Sequence, residues 1–250
     1  MKKFNKSYLV HKALQPLRNF SFQGKKYHYF CHKYNSSHLN ERAVELPIVW
    51  AEVQRYKSYE VLEIGNVLSH YFPTKHLVVD KYEVAPGIIN KDVVEFKTKK
   101  KFKLIISIST LEHVGWDEEV KSKGKIPQAI RHLQTLLAPG GTLFITLPLG
   151  YNSYLDEHLR TGKIKFDETF YMERVSKFNS WREVDSDILK KKPKYGSPYE
   201  NANVVVFGKV KKSFAKDITH LAGTFVPRSN KNISVLETRE KMEKTYRQMC

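Results

Sequence analysis

Residues 59–72 read YEVLEIGNVLSHYF, and the reading of this stretch decides the fold. Val61, Leu62 and Ile64 form an apolar run around one acid, Glu63. The run turns on a single glycine, Gly65, and continues into an apolar, histidine-flanked segment. A buried strand entering a glycine turn is a common opening of a nucleotide site in an open α/β sheet. Downstream, further strands are predicted at HLVVD (76–80), DVV (92–94), FKLIISIS (102–109) and GTLFITLPL (141–149). Between the last two, IPQAIRHLQTLL (126–137) has helical spacing, and APGG (138–141) supplies its stop and a tight turn. Strands alternating with helices imply a mostly parallel sheet covered on both faces.

The flanks are different. Residues 18–31 alternate around Gln-Gly-Lys-Lys with Phe20, Phe22, Tyr27 and Tyr29 on the apolar phases, which predicts a β-hairpin. Residues 40–56 read as a helix interrupted by Pro47. NANVVVFGKVKK (201–212) is a late strand, with TFYMERVS (169–176) a weaker strand before it. Ser234 and Glu237 stand at capping-box spacing and predict a C-terminal helix. The expected organisation is a basic N-terminal hairpin and helix (1–50), a core (51–212) with a substrate-side insertion near 151–202, and a basic tail (213–250).

The 250 residues carry a net charge of +17, distributed as +7 over 1–50, +3 over 51–150 and +7 over 151–250. Basic flanks favour anionic partners such as nucleic acid, phosphorylated sugars or lipid headgroups, and equally describe a lysine-rich surface that keeps a protein in solution. Cys31 and Cys250, at opposite ends, give neither a disulfide framework nor a metal-ligand spacing, so a reducing, cytoplasmic location is expected. No apolar stretch reaches the roughly 18 residues of a membrane span. The N-terminus lacks the apolar core of a secretory signal. As a transit peptide it is poor in arginine, with only Arg18 in residues 1–40.

Ligands of open parallel sheets sit beyond the carboxyl ends of the strands. Glu63, Gly65 and Asn66 follow the first strand, Asp80 the second and Asp92 begins the third. Ser109, Thr110, Leu111, Glu112 and His113 follow the fourth, and Tyr151 and Asn152 the fifth. Asp80 can accept hydrogen bonds from two ribose hydroxyls, or simply begin the turn DKYE. Glu63 beside the glycine turn would repel a pyrophosphate, so the pattern favours an adenosine carrying a cation over a dinucleotide.

On these residues the chain resembles the class I S-adenosylmethionine-dependent methyltransferases. The parts that match are VLEIGN, LVVDKYE, KDVVEF, LIISISTLEHVGWDE and LLAPGGTLFITLPLGYN, from about Val61 to Leu149. The resemblance implies a Rossmann-like, seven-stranded α/β sheet with six parallel strands, a reversed last strand and helices on both faces, and S-adenosylmethionine as cofactor. It implies that Glu63, Gly65 and Asn66 line the methionine portion and that Asp80 with Lys81 meets the ribose. Asp92 and Val93 would border the adenine, and Ser109, Thr110 and Leu111 would floor the site. The chain departs from the family's acid-x-Gly-x-Gly-x-Gly pattern by placing Val67 and Ser69 at the second and third glycines. Its wording is also similar to a subgroup associated with bacterial surface-glycan synthesis.

Methyl transfer needs alignment, exclusion of water and sometimes a base. An imidazole changes charge near neutral pH, which makes His113 the candidate base, with Glu112 to orient it or to cap the next turn. A first-turn structural histidine is the competing expectation. Arg42 on the N-terminal helix can fold over the site to pair with a carboxylate, or remain a surface charge. Tyr151 and Asn152 face the acceptor side. No metal is expected, because Ser109 stands where a metal-binding relative would need an acid. The expected activity is methyl transfer to a hydroxyl of a saccharide or other small polar acceptor. RNA, stacked on the hairpin of 18–31, and a non-catalytic binding role are the alternatives.

Overall fold

A computed structural model describes residues 6–214. Its elements in chain order are α1 (Lys6–Leu14), β1 (Asn19–Phe22), β2 (Lys25–His28), α2 (Arg42–Val53), β3 (Val61–Ile64), β4 (Leu77–Asp80), β5 (Ile88–Asn90) and β6 (Phe102–Ile108). They continue with α3 (Lys125–Leu136), β7 (Leu137–Pro148), α4 (Ser153–Arg160), β8 (Glu168–Arg174), β9 (Trp181–Val184) and β10 (Val204–Lys211). The expected helix at Ser234 lies outside the described residues.

The main sheet has eight strands in the order β5-β4-β3-β6-β7-β10-β8-β9. Neighbours from β5 to β7 pair in parallel, and β10 runs antiparallel to both β7 and β8. This is the seven-stranded, mostly parallel α/β arrangement with a reversed last strand that the sequence implied. β9 adds an antiparallel eighth strand at the edge. The strands read as near-continuous apolar runs because both faces are covered. Along β6, Phe102 and Ile105 pack on the face of α3 and α4, while Leu104, Ile106 and Ile108 pack on the face of α2 and the hairpin. In β10, Val204 and Val206 take the first face, Val205 and Phe207 the second.

One strand is displaced from its expected place. DVV (92–94) is a turn, in which the Asp92 carbonyl accepts from the amides of Glu95 and Phe96 and its side chain accepts from Val94. The pairing falls instead to Ile88–Asn90, where Ile88 and Ile89 stand opposite Val78 and Val79.

The predicted hairpin forms through Gln23 and Gly24, both at positive φ (51° and 71°). Its aromatic side is not a stacking platform for bases. Phe20, Phe22 and Tyr29 are buried, with Phe22 against Phe170 and Phe207, so these rings belong to the core. Pro47 does not interrupt α2. Its missing N–H would have bonded the Ala43 carbonyl one turn back, and that carbonyl instead accepts from the Phe30 amide at 2.9 Å. The proline thus frees an acceptor inside the helix, and the chain leaving the hairpin uses it.

After β7, the chain turns at Gly150, whose amide donates to both oxygens of Asp156 on α4. Burial pushes Asp156 up to about 6, against its ordinary 3.8. The folded state therefore holds this proton more tightly than the unfolded chain. The resulting stability is present at low pH and lost as pH rises through about 6. In urea unfolding from pH 4 to pH 7, wild type should lose about 1–2 kcal/mol relative to Asp156→Asn, allowing for solvent screening. A constant difference across that range would refute the assignment.

Candidate functional site

The strands β3, β4 and β6 end around a cavity of about 550 Å³, inside the range of about 300–1,000 Å³ common for small-molecule sites. Gly65, Asp80, Lys81, Asp92, Val93, Ser109, Thr110 and His113, all singled out in the sequence, line it. Asn66, Glu63, Leu111, Glu112, Arg42, Tyr151 and Asn152 are not among its lining residues.

Gly65 sits at φ +83°, and a Cβ there would come within 2.3 Å of the Thr110 hydroxyl. The turn after β3 therefore rests directly on the loop after β6, an approach open only to glycine. Val67 and Ser69 do not crowd this space. Val67 is buried in the core on the α2 side, and Ser69 donates to Asn66 Oδ1. The segment after the turn is a 3-10 turn, Leu68–His70, rather than an α-helix.

Glu63 has a structural role in place of the ligand role expected of it. It is fully buried; Oε1 accepts from the amides of Val67 (3.0 Å) and Leu68 (2.8 Å), and Oε2 lies 2.6 Å from His76 Nε2. Asn66 is turned toward Glu83, to which it donates at 2.7 Å. Asp80 accepts from the amides of Asn66, Tyr82 and Glu83, which fixes its carboxylate at the cavity wall.

Next to Asp80, Lys81 Nζ bridges Asp92 and Glu118, each at 3.0 Å. Lys125 repeats the bridge at 2.7 and 2.6 Å. Burial works against charge on these groups, but the ion pairs outweigh it. Both lysines lie above, and Asp92 and Glu118 below, their ordinary pKa values. Leu111 lies wholly in the core.

Arg42 does not fold over the cavity. Its side chain, 11% exposed, pairs with Glu45 at 2.6 Å and donates to the Ser109 carbonyl at 3.3 Å. Ser109, at φ +37°, donates in turn to Glu45 at 2.5 Å. Burial pulls Arg42 down, but Glu45, Glu41 and Glu112 overcome it and hold the guanidinium above its ordinary value. Arg42 thus fastens the cavity floor from behind.

His113 does reach the cavity, and its partner is Asp117 rather than Glu112. Nδ1 lies 2.5 Å from Asp117 Oδ2, which also accepts from the Tyr151 hydroxyl at 2.6 Å. These hydrogen bonds outweigh burial and keep Asp117 below its ordinary range. Glu112 is buried and 3.7 Å from Nε2, and its Oε2 has no hydrogen-bond partner among the described residues. Burial raises its carboxyl well above the ordinary value. Asn152 is buried as the N-cap of α4, donating to the Glu112 carbonyl at 2.7 Å. Tyr151 is half-buried, edge-on to both His113 and Tyr195. The spacing His-x-x-x-Asp was the one local signal for Asp117. Glu83 and Lys125 arrive through tertiary contacts alone.

No family model matches the sequence, and no curated protein matches it. Among solved structures, the chain is similar to the N-methyltransferase NodS of Bradyrhizobium japonicum in complex with S-adenosylhomocysteine. That match has 14% identity over 69% of this chain and 87% of that one, at a TM-score of 0.39. An S-adenosylmethionine-dependent methyltransferase of Thermotoga maritima gives 14%, 69%, 91% and 0.40. The sugar N-methyltransferase KedS8 of Streptoalloteichus gives 12%, 66%, 87% and 0.34.

Removing Arg42 leaves the buried Glu45 carboxylate without its cation, a change that costs about 3–5 kcal/mol for a buried pair. Arg42→Ala should show that loss in urea unfolding at pH 7.5. Arg42→Lys restores charge without the fork and should recover only part. A loss below about 0.5 kcal/mol would place Arg42 at a solvated surface.

Proposed function

We propose that the protein is an S-adenosylmethionine-dependent methyltransferase acting on a hydroxyl of a saccharide or similar small polar acceptor. The observation that carries this reading is the sign of the cavity. On a chain of net charge +17, it is lined by five carboxylates (Asp80, Glu83, Asp92, Asp117 and Glu118) and two lysines (Lys81 and Lys91). Such a lining repels phosphates and favours a cationic ligand. When bound, S-adenosylmethionine would supply an electrophilic methyl group on a positively charged sulfur.

The residues present fit that ligand. Gly65 brings backbone to the cavity wall, packed against Thr110. Asp80 already accepts three amide bonds and keeps acceptor capacity for a ribose hydroxyl. Val93 offers an apolar wall for a base.

His113 is placed to take the proton of an attacking hydroxyl. Asp117, held by Tyr151, fixes the orientation of the imidazole by binding Nδ1 and leaves Nε2 for the acceptor. The Tyr151 ring beside His113, backed by Tyr195, suits the apolar face of a sugar.

Titration calorimetry with S-adenosylmethionine and S-adenosylhomocysteine tests the reading. Binding of both, weakened at least tenfold in Asp80→Asn, is the expected result. Asn can retain one of the amide acceptors and so is preferred to Ala. Folded protein that binds neither compound would overturn the assignment. Once an acceptor is in hand, His113→Ala should lower kcat by about 10²–10⁴ with cofactor affinity unchanged. Asp117→Asn should lower it less and shift the pH profile.

A further inference from the structure

The helix α1 is inside-out. Successive residues of a helix are about 100° apart, which places Leu9, Val10, Ala13 and Leu14 on one face, and that face is exposed to solvent. Leu9 and Val10 are 47% and 48% exposed, and Leu17, at the end of the following 3-10 turn, 79%. The inward face carries His11, stacked on Phe178 at 4.2 Å and tilted against His38, with Tyr8 edge-on to His38. A soluble helix ordinarily points its apolar stripe at the core and its polar side chains at water. Here the aliphatic residues are the ones left outside, and Phe178 beside them is itself 40% exposed.

The charge around this face chooses its occupant. Lys6 and Lys12 are exposed on the same helix. Residues 1–40 contain seven lysines and one arginine, with no Asp or Glu. Two copies of a chain of +17 meeting through such a face would bring like charges together. An anionic surface would be attracted, and a lipid surface also takes up the apolar side chains. We propose that α1 and the turn after it form a peripheral docking face for an anionic lipid bilayer. Leu9, Val10, Leu14 and Leu17 enter the interface, and the lysines meet the headgroups. This assignment is independent of the cavity and its ligand.

The test separates apolar insertion from the general attraction of a basic protein. Full-length protein is co-sedimented with vesicles of phosphatidylglycerol and phosphatidylcholine, and with phosphatidylcholine alone. The double variant Leu9→Ser/Leu17→Ser keeps the charge and, being altered only at exposed positions, should keep the thermal midpoint. Wild type should bind the anionic vesicles, and the variant should bind about tenfold more weakly or worse. Leu17→Trp should shift its added emission to the blue only when those vesicles are present.

Equal binding by wild type and the serine variant would overturn the proposal, since charge alone would then suffice. So would failure of wild type to bind. A concentration-dependent dimer dissolved by the serine pair, without lipid binding, would assign the face to a second copy. Tryptophan emission already blue without vesicles would mean another part of the chain covers it.

Discussion

A carboxylate with no access to water must be satisfied wholly by protein, and Glu63 is in that position. Its two oxygens gather two backbone amides and one imidazole, and those three donors set the path of the chain out of β3. The segment after Gly65 is pulled into a single 3-10 turn under the acid, and His76 is drawn in just before β4 begins. With this tether in place, the route over the strand ends does not depend on further glycines. Val67 can therefore be a core residue, and within this turn the sterically required glycine is Gly65, because Thr110 lies against it. The cavity follows from that arrangement.

A second buried acid–base set does the same for the other wall. Arg42 and Glu45, on a helix that precedes the sheet in sequence, hold both the carbonyl and the hydroxyl of Ser109. The positive φ of Ser109 is kept by this grip, and with it the position of Thr110 and the start of the turn that carries His113. The N-terminal residues thus shape the cavity without lining it. Pro47 contributes from inside the same helix, since the acceptor it frees at Ala43 anchors Phe30 and so the hairpin.

Much of the sheet was legible because its strands are apolar on both faces, a pattern that also separates them from the amphipathic α3. The cavity-lining residues were legible because sheet topology brings strand ends together, and eight of the residues singled out do meet at one cavity. What failed has a common physical cause. DVV and IIN are equally suitable as strands, and the choice fell to Asp92, whose side chain and carbonyl both favour a turn. Glu112 and Asn152 stand beside chemically suggestive neighbours, but their side chains are spent inside the fold, one as a buried acid and one as a helix cap. Arg42 has the charge to greet a carboxylate and found one in its own helix. Sequence gives the type of group at a position, whereas burial decides whether that group is available.

The hairpin has a consequence for how the chain reaches its native state. The Tyr29 hydroxyl accepts from the Trp181 amide, 152 residues away, and Gln23 donates to Glu183, 160 residues away. Phe22 also needs Phe170 and Phe207 before its ring is covered. The first element of the sheet region to be synthesised is therefore among the last to be buried. During translation, the aromatic hairpin and the apolar side of α2 wait in the open until β8 and β10 emerge. Contacts of such long separation form slowly and leave sticky surface exposed in the meantime. Emergence of β8 to β10, rather than of the first strands, is the event that closes the core on this side. A protein truncated before residue 204 would lose β10, the strand that joins β7 to β8, and with it the ground on which its own beginning settles.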